Sequence, residues 1–278
     1  MNLLKVTKKT KIRHRNEINN TFSSLPLSAR RILFMAMAQI DTRQELSRGD
    51  VFRITAKEYA FIADIDMSVA YKQLREGAEE LQASVIRIPK NKLINSIQNE
   101  KSEDKLKKKK TPTDAVRVMN ITSFCDYVES EGFVEIGFSN VIEPYITMLK
   151  DSYTTQVLLS SVRLTDQNAN ILYQFIRKQI SMGKTKSFDI TVTDLKDELE
   201  LYKLENDNKI YLYQNYKDFN KAFLNKNIDK INQFTEIKKL SVTIIERVSR
   251  KASKLRFSYT IDKESEGQDY RVPHGFRT

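Results

Sequence analysis

The chain has one cysteine, two histidines, no tryptophan, seven glycines and five prolines among 278 residues. Cys125 alone cannot close an intramolecular disulfide, and His14 and His274 stand too far from it and from each other to suggest a Cys/His zinc set. A reducing, cytoplasmic setting is expected. The longest apolar run, Ile32 to Ala38, is far short of the roughly 20 residues that span a bilayer. No apolar stretch follows the basic N-terminus as a secretory leader would need, so neither membrane insertion nor secretion is expected. Scarce glycine and proline predict regular structure, rich in helix with some strand.

The same scarcities remove several kinds of chemistry. Gly183-Lys184-Thr185 mimics the end of a phosphate-binding loop, but the position five residues before Gly183, where such a loop needs glycine, is Lys178. A metal-dependent DNA nickase needs paired histidines beside a tyrosine, and the two histidines lie at opposite ends of the chain. His274-Gly275-Phe276-Arg277 resembles part of a tyrosine-recombinase signature, yet no tyrosine follows it. Cys125 has no histidine nearby and is expected to act as a small buried hydrophobe. No catalytic set, metal set or cofactor motif remains, and a non-enzymatic role is expected.

What the chain does have is positive charge. Its 47 lysines and arginines against 36 acids give a formal net charge of +11. Residues 1–150 carry +6 (25 − 19) and residues 151–278 carry +5 (22 − 17). Both halves favour a polyanion; the plainer alternative is a basic soluble protein with no nucleic-acid partner.

It also has a repeated pattern. Phe52-Arg53-Ile54-Thr55 recurs as Phe188-Asp189-Ile190-Thr191, and each threonine is followed three residues later by an acid, Glu58 or Asp194. That spacing marks the start of a capped helix. Upstream of the copies lie Leu27-Ser28 with Ile32-Leu33-Phe34, and Leu164-Thr165 with Ile171-Leu172-Tyr173. Two similar domains in tandem are expected, 1–150 and 151–278, each large enough for its own core.

In the first half, residues 1–15 read as a frayed basic arm, and a short helix follows around 16–22. Ser28 is expected to cap an apolar helix to about Ile40. Residues 52–54 read as a strand, and Thr55 opens a helix to about Asp64. Asp66 is expected to cap a third helix, 67–82, with Tyr71, Leu74, Ala78 and Leu81 on its inner face. Strands are expected at 85–88, 116–121 and 133–138. Between them, 90–113 holds Lys105 and the run Lys107 to Lys110, either a loop touching DNA or a solvated one.

In the second half, Thr165 is expected to cap a helix to about Ser181. A strand at 188–190 and a helix at 191–201 follow. A longer helix then spans about 212–231, and 237–248 with 254–261 form a hairpin. A poorly ordered tail is expected from about 262. Helix, strand, helix, helix and hairpin is the order of a winged helix, so the expected fold class is α+β, two tandem winged-helix domains.

In such a module the last helix before the hairpin enters the major groove. The two candidates differ in charge. Residues 67–82 carry a net of −1 (2 − 3) and residues 212–231 a net of +2 (4 − 2). In the second, Tyr216, Phe219, Phe223, Leu224, Ile228 and Ile231 cover one half of a helical wheel. Gln214, Lys221, Asn225 and Lys226 face outward, with Lys217 and Asn220 at the margins. Asn and Gln match adenine edges, and Lys matches guanine or phosphate. Around the last hairpin turn, Arg247, Arg250, Lys251, Lys254 and Arg256 suit a phosphate backbone.

The order of these segments resembles plasmid replication initiators of the two-winged-helix Rep superfamily, the iteron-binding type. The resemblance covers about 15–262. It rests on Asn16-Glu17-Ile18, Leu27-Ser28-Ala29-Arg30-Arg31-Ile32-Leu33, the first Phe-x-Ile-Thr, and Asn170-Ile171-Leu172-Tyr173. Phe219-Asn220-Lys221-Ala222-Phe223-Leu224, Ile228-Asp229-Lys230-Ile231-Asn232 and Leu255-Arg256-Phe257-Ser258-Tyr259 complete it. The family pattern often has Gly-Arg in the last hairpin, where Ser249-Arg250-Lys251 stands here.

The resemblance implies binding to direct repeats in double-stranded origin DNA, opening of the adjacent duplex, and recruitment of the host initiator and helicase. It also implies a homodimer formed through the first module, which in this family can repress the initiator's own gene. Matching positions make Lys217, Asn220, Lys221, Asn225 and Lys226 the principal readers, with Ser68, Lys72 and Arg75 as secondary contacts. The rival expectations are a dedicated transcriptional repressor of the same fold and, from another class, a DNA-cleaving enzyme.

Overall fold

The computed structural model describes residues 6–47, 49–89, 93, 115–205 and 208–265. The lysines from 105 to 110, His274 and the tail beyond 265 lie outside them. Two apolar cores divide the chain, one ending at Val162 and the other beginning at Leu164. This break lies downstream of the 150/151 division expected from sequence. The cause is strand β1 (Lys11–Arg15), which pairs antiparallel with β7 (Tyr153–Val157), Lys11 opposite Val157. That pairing keeps the chain in the first core until α6 (Leu158–Arg163) has packed there.

The doubled sequence pattern becomes a doubled topology. In the first module β2 (Phe52–Thr55) lies beside β6 (Phe133–Phe138), which lies beside β5 (Thr122–Val128). In the second, β8 (Ser187–Thr191) lies beside β12 (Lys251–Ile261), which lies beside β11 (Ile237–Val248). Each short strand thus joins the outgoing arm of its own hairpin, the wing. The phenylalanines of the pattern point into the cores: Phe52 meets Phe138 edge-on, and Phe188 stacks on Phe257 at 5.0 Å.

Both repeated threonines cap the helix that follows. Thr55 Oγ1 accepts from the Glu58 backbone N–H at 3.2 Å, and Glu58 reaches back to the Thr55 N–H at 2.9 Å, opening α3 (Ala56–Ala63). Thr191 accepts from the Asp194 N–H at 3.0 Å, opening α8 (Val192–Glu198). Each bond satisfies a backbone donor that a helix start leaves unpaired.

Several expectations are corrected. Residues 11–15 are no frayed arm: Ile12 and His14 alternate inward, and their basic neighbours conceal the period of two. Ser28 lies inside α2 (Leu27–Met37) behind Pro26, and its hydroxyl bonds Glu80 of α4 (Met67–Gln82) rather than capping. Asp66 stands at the start of α4 but makes no side-chain cap bond. On α4, Ala70, Leu74, Gly77, Ala78 and Leu81 are buried, whereas Tyr71 is exposed on the outer face, over Gly132 of the wing turn.

Three further differences concern strands and helix starts. The first wing is β5 with β6, not 116–121 with 133–138; β4 (Val116–Asn120) pairs with β3 (Val85–Pro89) instead. In the second module Asp166, not Thr165, caps α7 (Gln167–Ser181), accepting from the Ala169 N–H at 3.0 Å. The long helix begins at Tyr216 rather than Leu212, because β9 (Tyr202–Glu205) and β10 (Asn208–Tyr211) occupy the approach to it. Among the residues of the expected tail, 263–265 form a short 3-10 turn with Ser265 buried.

Polar groups join the modules. Arg30 donates to Leu164 O at 3.2 Å and Arg31 to Val162 O at 3.0 Å, so two α2 arginines hold the passage between the cores. Burial pushes the Arg30 guanidinium down to about 10, with Arg31 adding repulsion. Arg177 pairs with Glu236 at 3.1 Å and donates to Thr155 O of β7 at 2.7 Å. Tyr173 donates to the same carboxylate at 3.1 Å. A buried pair of this kind is tolerated only because surrounding hydrogen bonds satisfy it.

Candidate nucleic-acid interface

The second recognition helix is assembled in three parts: α9 (Tyr216–Phe219), a π turn (Asn220–Leu224) and α10 (Asn225–Phe234). Asn215 caps it, its Oδ1 accepting from the Asp218 N–H at 2.9 Å while its amide donates to the Asp218 carboxylate at 2.7 Å. Phe219, Phe223, Leu224, Ile228 and Ile231 are buried in the second core. Asn227 is buried too and donates to Phe223 O at 2.8 Å. At the far end, Asn232 clamps the helix to β11, donating to Leu240 O at 3.0 Å and accepting from the Leu240 N–H at 2.7 Å.

That anchoring leaves one face outward. Lys217, Lys221, Asn225 and Lys226 are exposed, and Asn220 is half-buried, accepting from the Tyr216 hydroxyl at 3.4 Å. In an ideal α-helix residues spaced by four drift steadily around the axis. The wider π turn slows that winding, so Lys217, Lys221 and Asn225 stay nearly in line. A row of this kind matches the floor of a major groove better than a spiral does. Lys230 is not part of it: its ammonium pairs with Asp166 at 2.5 Å, at the start of α7.

The wing stands beside this helix. The charge of Arg247 acts on the half-buried Tyr216 hydroxyl, which burial holds above its usual range. Arg247, Arg250 and Lys251 are exposed at the tip and Lys254 is half-buried along β12. Arg256 points elsewhere, making a two-pronged pair with Asp189 at 2.7 and 2.8 Å. The two-residue turn that presents the tip has Ser249 at φ 48° and Arg250 at φ 67°. Left-handed φ at both central positions is the type I′ requirement, usually met by Asn-Gly. The residues that replace glycine in the family pattern therefore keep the tight turn, under strain.

The first module offers a different surface. Ser68, Lys72 and Arg75 are exposed on α4, but Lys72 lies 3.8 Å from Glu76 and Arg75 lies 3.7 Å from Glu129. The tip of its wing carries Glu129 and Glu131, both exposed. Sequence reasoning placed the first wing tip in the lysine-rich insertion and so missed this acidic one. The signal was available: Thr122–Val128 runs directly into Glu129-Ser130-Glu131-Gly132 before the alternating strand β6.

The groups with candidate chemistry are held inert. His14 is buried; its Nδ1 bonds Arg15 O at 3.1 Å and its Nε2 bonds the Gln156 amide at 2.7 Å. Burial pushes this imidazole down to about 4, so it is neutral near pH 7. Cys125 packs half-buried against the first core, and burial pushes its thiol up to about 11, opposite to an activated nucleophile. Among the described residues no group of three or more His, Cys, Asp and Glu could hold a metal, and no helix is long and apolar enough to cross a membrane.

Comparison with known proteins places this geometry. The family described as "Initiator Replication protein, WH1" matches residues 11–177, and "Initiator Rep protein, WH2" matches residues 191–259. A PI protein of Escherichia coli is 40% identical over 267 residues, 94% of this chain and 86% of that protein. The crystal structure of Pi initiator protein in complex with iteron DNA superposes with a TM-score of 0.79 at 40% identity, covering 93% of this chain and 100% of that one.

Proposed function

The chain belongs to the initiator replication protein family, with both winged-helix domains matched, and from that premise we propose that it initiates plasmid replication by binding direct repeats (iterons) in double-stranded origin DNA. The observation that carries this reading is the row Lys217, Lys221, Asn225 and Lys226, flanked by the basic wing tip Arg247, Arg250, Lys251 and by Lys254. A homologue of the same architecture, the Pi initiator, is structurally defined with iteron DNA. In this reading the second module supplies base recognition through its helix and phosphate contacts through its wing. Asn220 supports Tyr216 at the helix margin, between those two parts.

The first module then has a different task. Its paired cations Lys72 and Arg75, together with Ser68, make secondary DNA contacts. Its remaining surface serves self-association as a homodimer and contact with the host initiator and helicase, in the cytoplasm. No step in this function requires catalysis or a cofactor: the protein lowers the free energy of an opened origin through differential binding. The test is binding of the full-length chain to an origin repeat and to random duplex of equal length. Lys221→Ala with Asn225→Ala should lose about tenfold or more on the repeat and little on random DNA. Equal losses on the two duplexes would remove base reading from this helix.

A further inference from the structure

A groove of about 850 Å³ opens where the modules face each other, between α7 and α8 of the second and the Asn16–Ser24 segment and β3–β4 hairpin of the first. Its sign is opposite to that of the molecule. Glu17, Asp194, Asp197, Glu198 and Glu200 line it against Arg87, Lys178 and Lys209, a net of −2 (3 − 5) in a chain of net charge +11. Three of the acids already have partners: Glu17 pairs with Arg15 at 2.9 Å, Asp197 with Lys209 at 2.9 Å and Glu198 with Lys178 at 2.6 Å. Asp194 and Glu200 are exposed and have no cation at ion-pair distance among the described residues.

Two buried side chains point to a ligand independently of these charges. Asn19 is 7% exposed and Gln174 is 1% exposed; both line the groove, and both have a carbonyl oxygen with no hydrogen-bond partner. The amide ends are fixed. Asn19 donates to the Thr154 hydroxyl at 3.1 Å, and that hydroxyl donates in turn to Asn16 Oδ1 at 2.7 Å, so it can only accept from Asn19. Gln174 donates to Asn170 Oδ1 at 2.7 Å. Each free oxygen therefore asks for a donor, and leaving a buried acceptor unpaired is costly. Ile88, Ile171 and Phe175 add apolar wall between these polar points.

We propose that this groove binds a linear aliphatic polyamine, its ammonium groups on the two free carbonyls and on Asp194 and Glu200, its methylene chain along the apolar wall. The chemistry required is an N–H-rich cation on an alkyl stem: phosphate and nucleic acid have the wrong charge and no donors for the two carbonyls. The volume is that of a small-molecule site. Because the groove is walled by both modules, an occupant favours the mutual arrangement in which they close on it.

The test uses spermidine and the full-length protein without DNA, at low salt, by titration calorimetry and thermal melting. One saturable site and a raised Tm are expected, since a polycation has no attraction to the rest of this basic surface. Asp194→Asn with Glu200→Gln, both on exposed positions, should weaken binding at least tenfold while leaving repeat binding unchanged. Gln174→Leu should do the same, with circular dichroism to confirm folding. Absence of saturable heat, or unaltered affinity in the Asp194/Glu200 variant, would overturn the assignment. So would an arginine-rich nonapeptide that binds where spermidine does not, because the groove would then belong to a protein segment. Since no DNA is present, failure here leaves the reading of the recognition helix untouched.

Discussion

On the first recognition helix Lys72 faces Glu76 and Arg75 faces Glu129, and the wing beside it ends in Glu129 and Glu131. On the second, Lys217, Lys221 and Lys226 have no carboxylate at ion-pair distance among the described residues, and the wing ends in Arg247, Arg250 and Lys251. Strand order, capping threonines and buried phenylalanines are the same in the two modules. The lesson is that topology and surface charge are specified by different residues. Inward positions of the repeat keep the fold, and outward positions are free to assign each copy its partner. A cation already paired with a carboxylate gains less from a phosphate, because the pair must be broken first.

The largest effect is expected from removing the wing cations. Arg247→Ala, Arg250→Ala and Lys251→Ala together should lower the slope of log affinity against log salt by about 3, roughly one per phosphate contact. Lys72→Ala with Arg75→Ala should lower it by less than about 1, the two cations being shared with Glu76 and Glu129. Salt titrations on one repeat duplex give both slopes. If the first-module pair costs as much as the wing triple, the electrostatic division between the modules is wrong.

A second expectation concerns the first module's interior, through His14. Its folded-state value is depressed from 6.5 to about 4 by burial. The neutral native form therefore contributes stability that is fully present above pH 6.5 and is lost as pH falls from 6.5 toward 4, where only the unfolded chain readily takes the proton. The loss amounts to about 3 kcal/mol across that window. Chemical denaturation between pH 7.5 and 4 should show this component in the parent protein. It should be missing from the difference curve of His14→Gln.

How much of this the amino-acid order reveals depends on what kind of signal each residue carries. Thr55 with Glu58 and Thr191 with Asp194 announce helix starts locally, because a cap needs only its own turn. The apolar spacing of Phe219, Phe223, Ile228 and Ile231 likewise needs only the helix. Strand β1 stays hidden because its partner, 153–157, lies far along the chain and its own residues are mostly basic. The β9–β10 hairpin, with side chains largely exposed, has no buried alternation to betray it. Arg30 and Arg31 belong to a motif that resemblance picks out, yet their work, holding Leu164 O and Val162 O, exists only once the modules meet. The groove acceptors on Asn19 and Gln174 are of the same kind.

A smaller effect comes from the contact between α2 and α4. A Cβ built on Gly77 would stand 2.8 Å from the Ser28 carbonyl carbon and 2.9 Å from its oxygen, atoms of a neighbouring helix backbone that cannot swing aside. Gly77→Ala should therefore lower stability by about 2 kcal/mol, within the usual range for overpacking a core. The folded fraction should still prefer the repeat over random duplex to the same degree. A changed preference would mean that the first module's packing takes part in reading DNA, contrary to the division drawn from charge.

The smallest effect tests the wing turn. Ser249 and Arg250 both take φ values between +45° and +70°, at 48° and 67°, where a side chain costs about 1 kcal/mol and glycine costs nothing. Arg250→Gly should raise stability by about 1 kcal/mol and at the same time remove one phosphate contact, lowering the salt slope by about 1. Opposite signs for folding and binding are the diagnostic outcome, measured by thermal melting and salt titration on the same preparation. Arg250→Asn separates the two causes: it relaxes the turn as asparagine tolerates left-handed φ, yet lacks the charge, so its salt slope should match that of the glycine variant. A stability unchanged in both variants would mean that the turn holds no strain, and the arginine at its tip would then need no functional reason to be there.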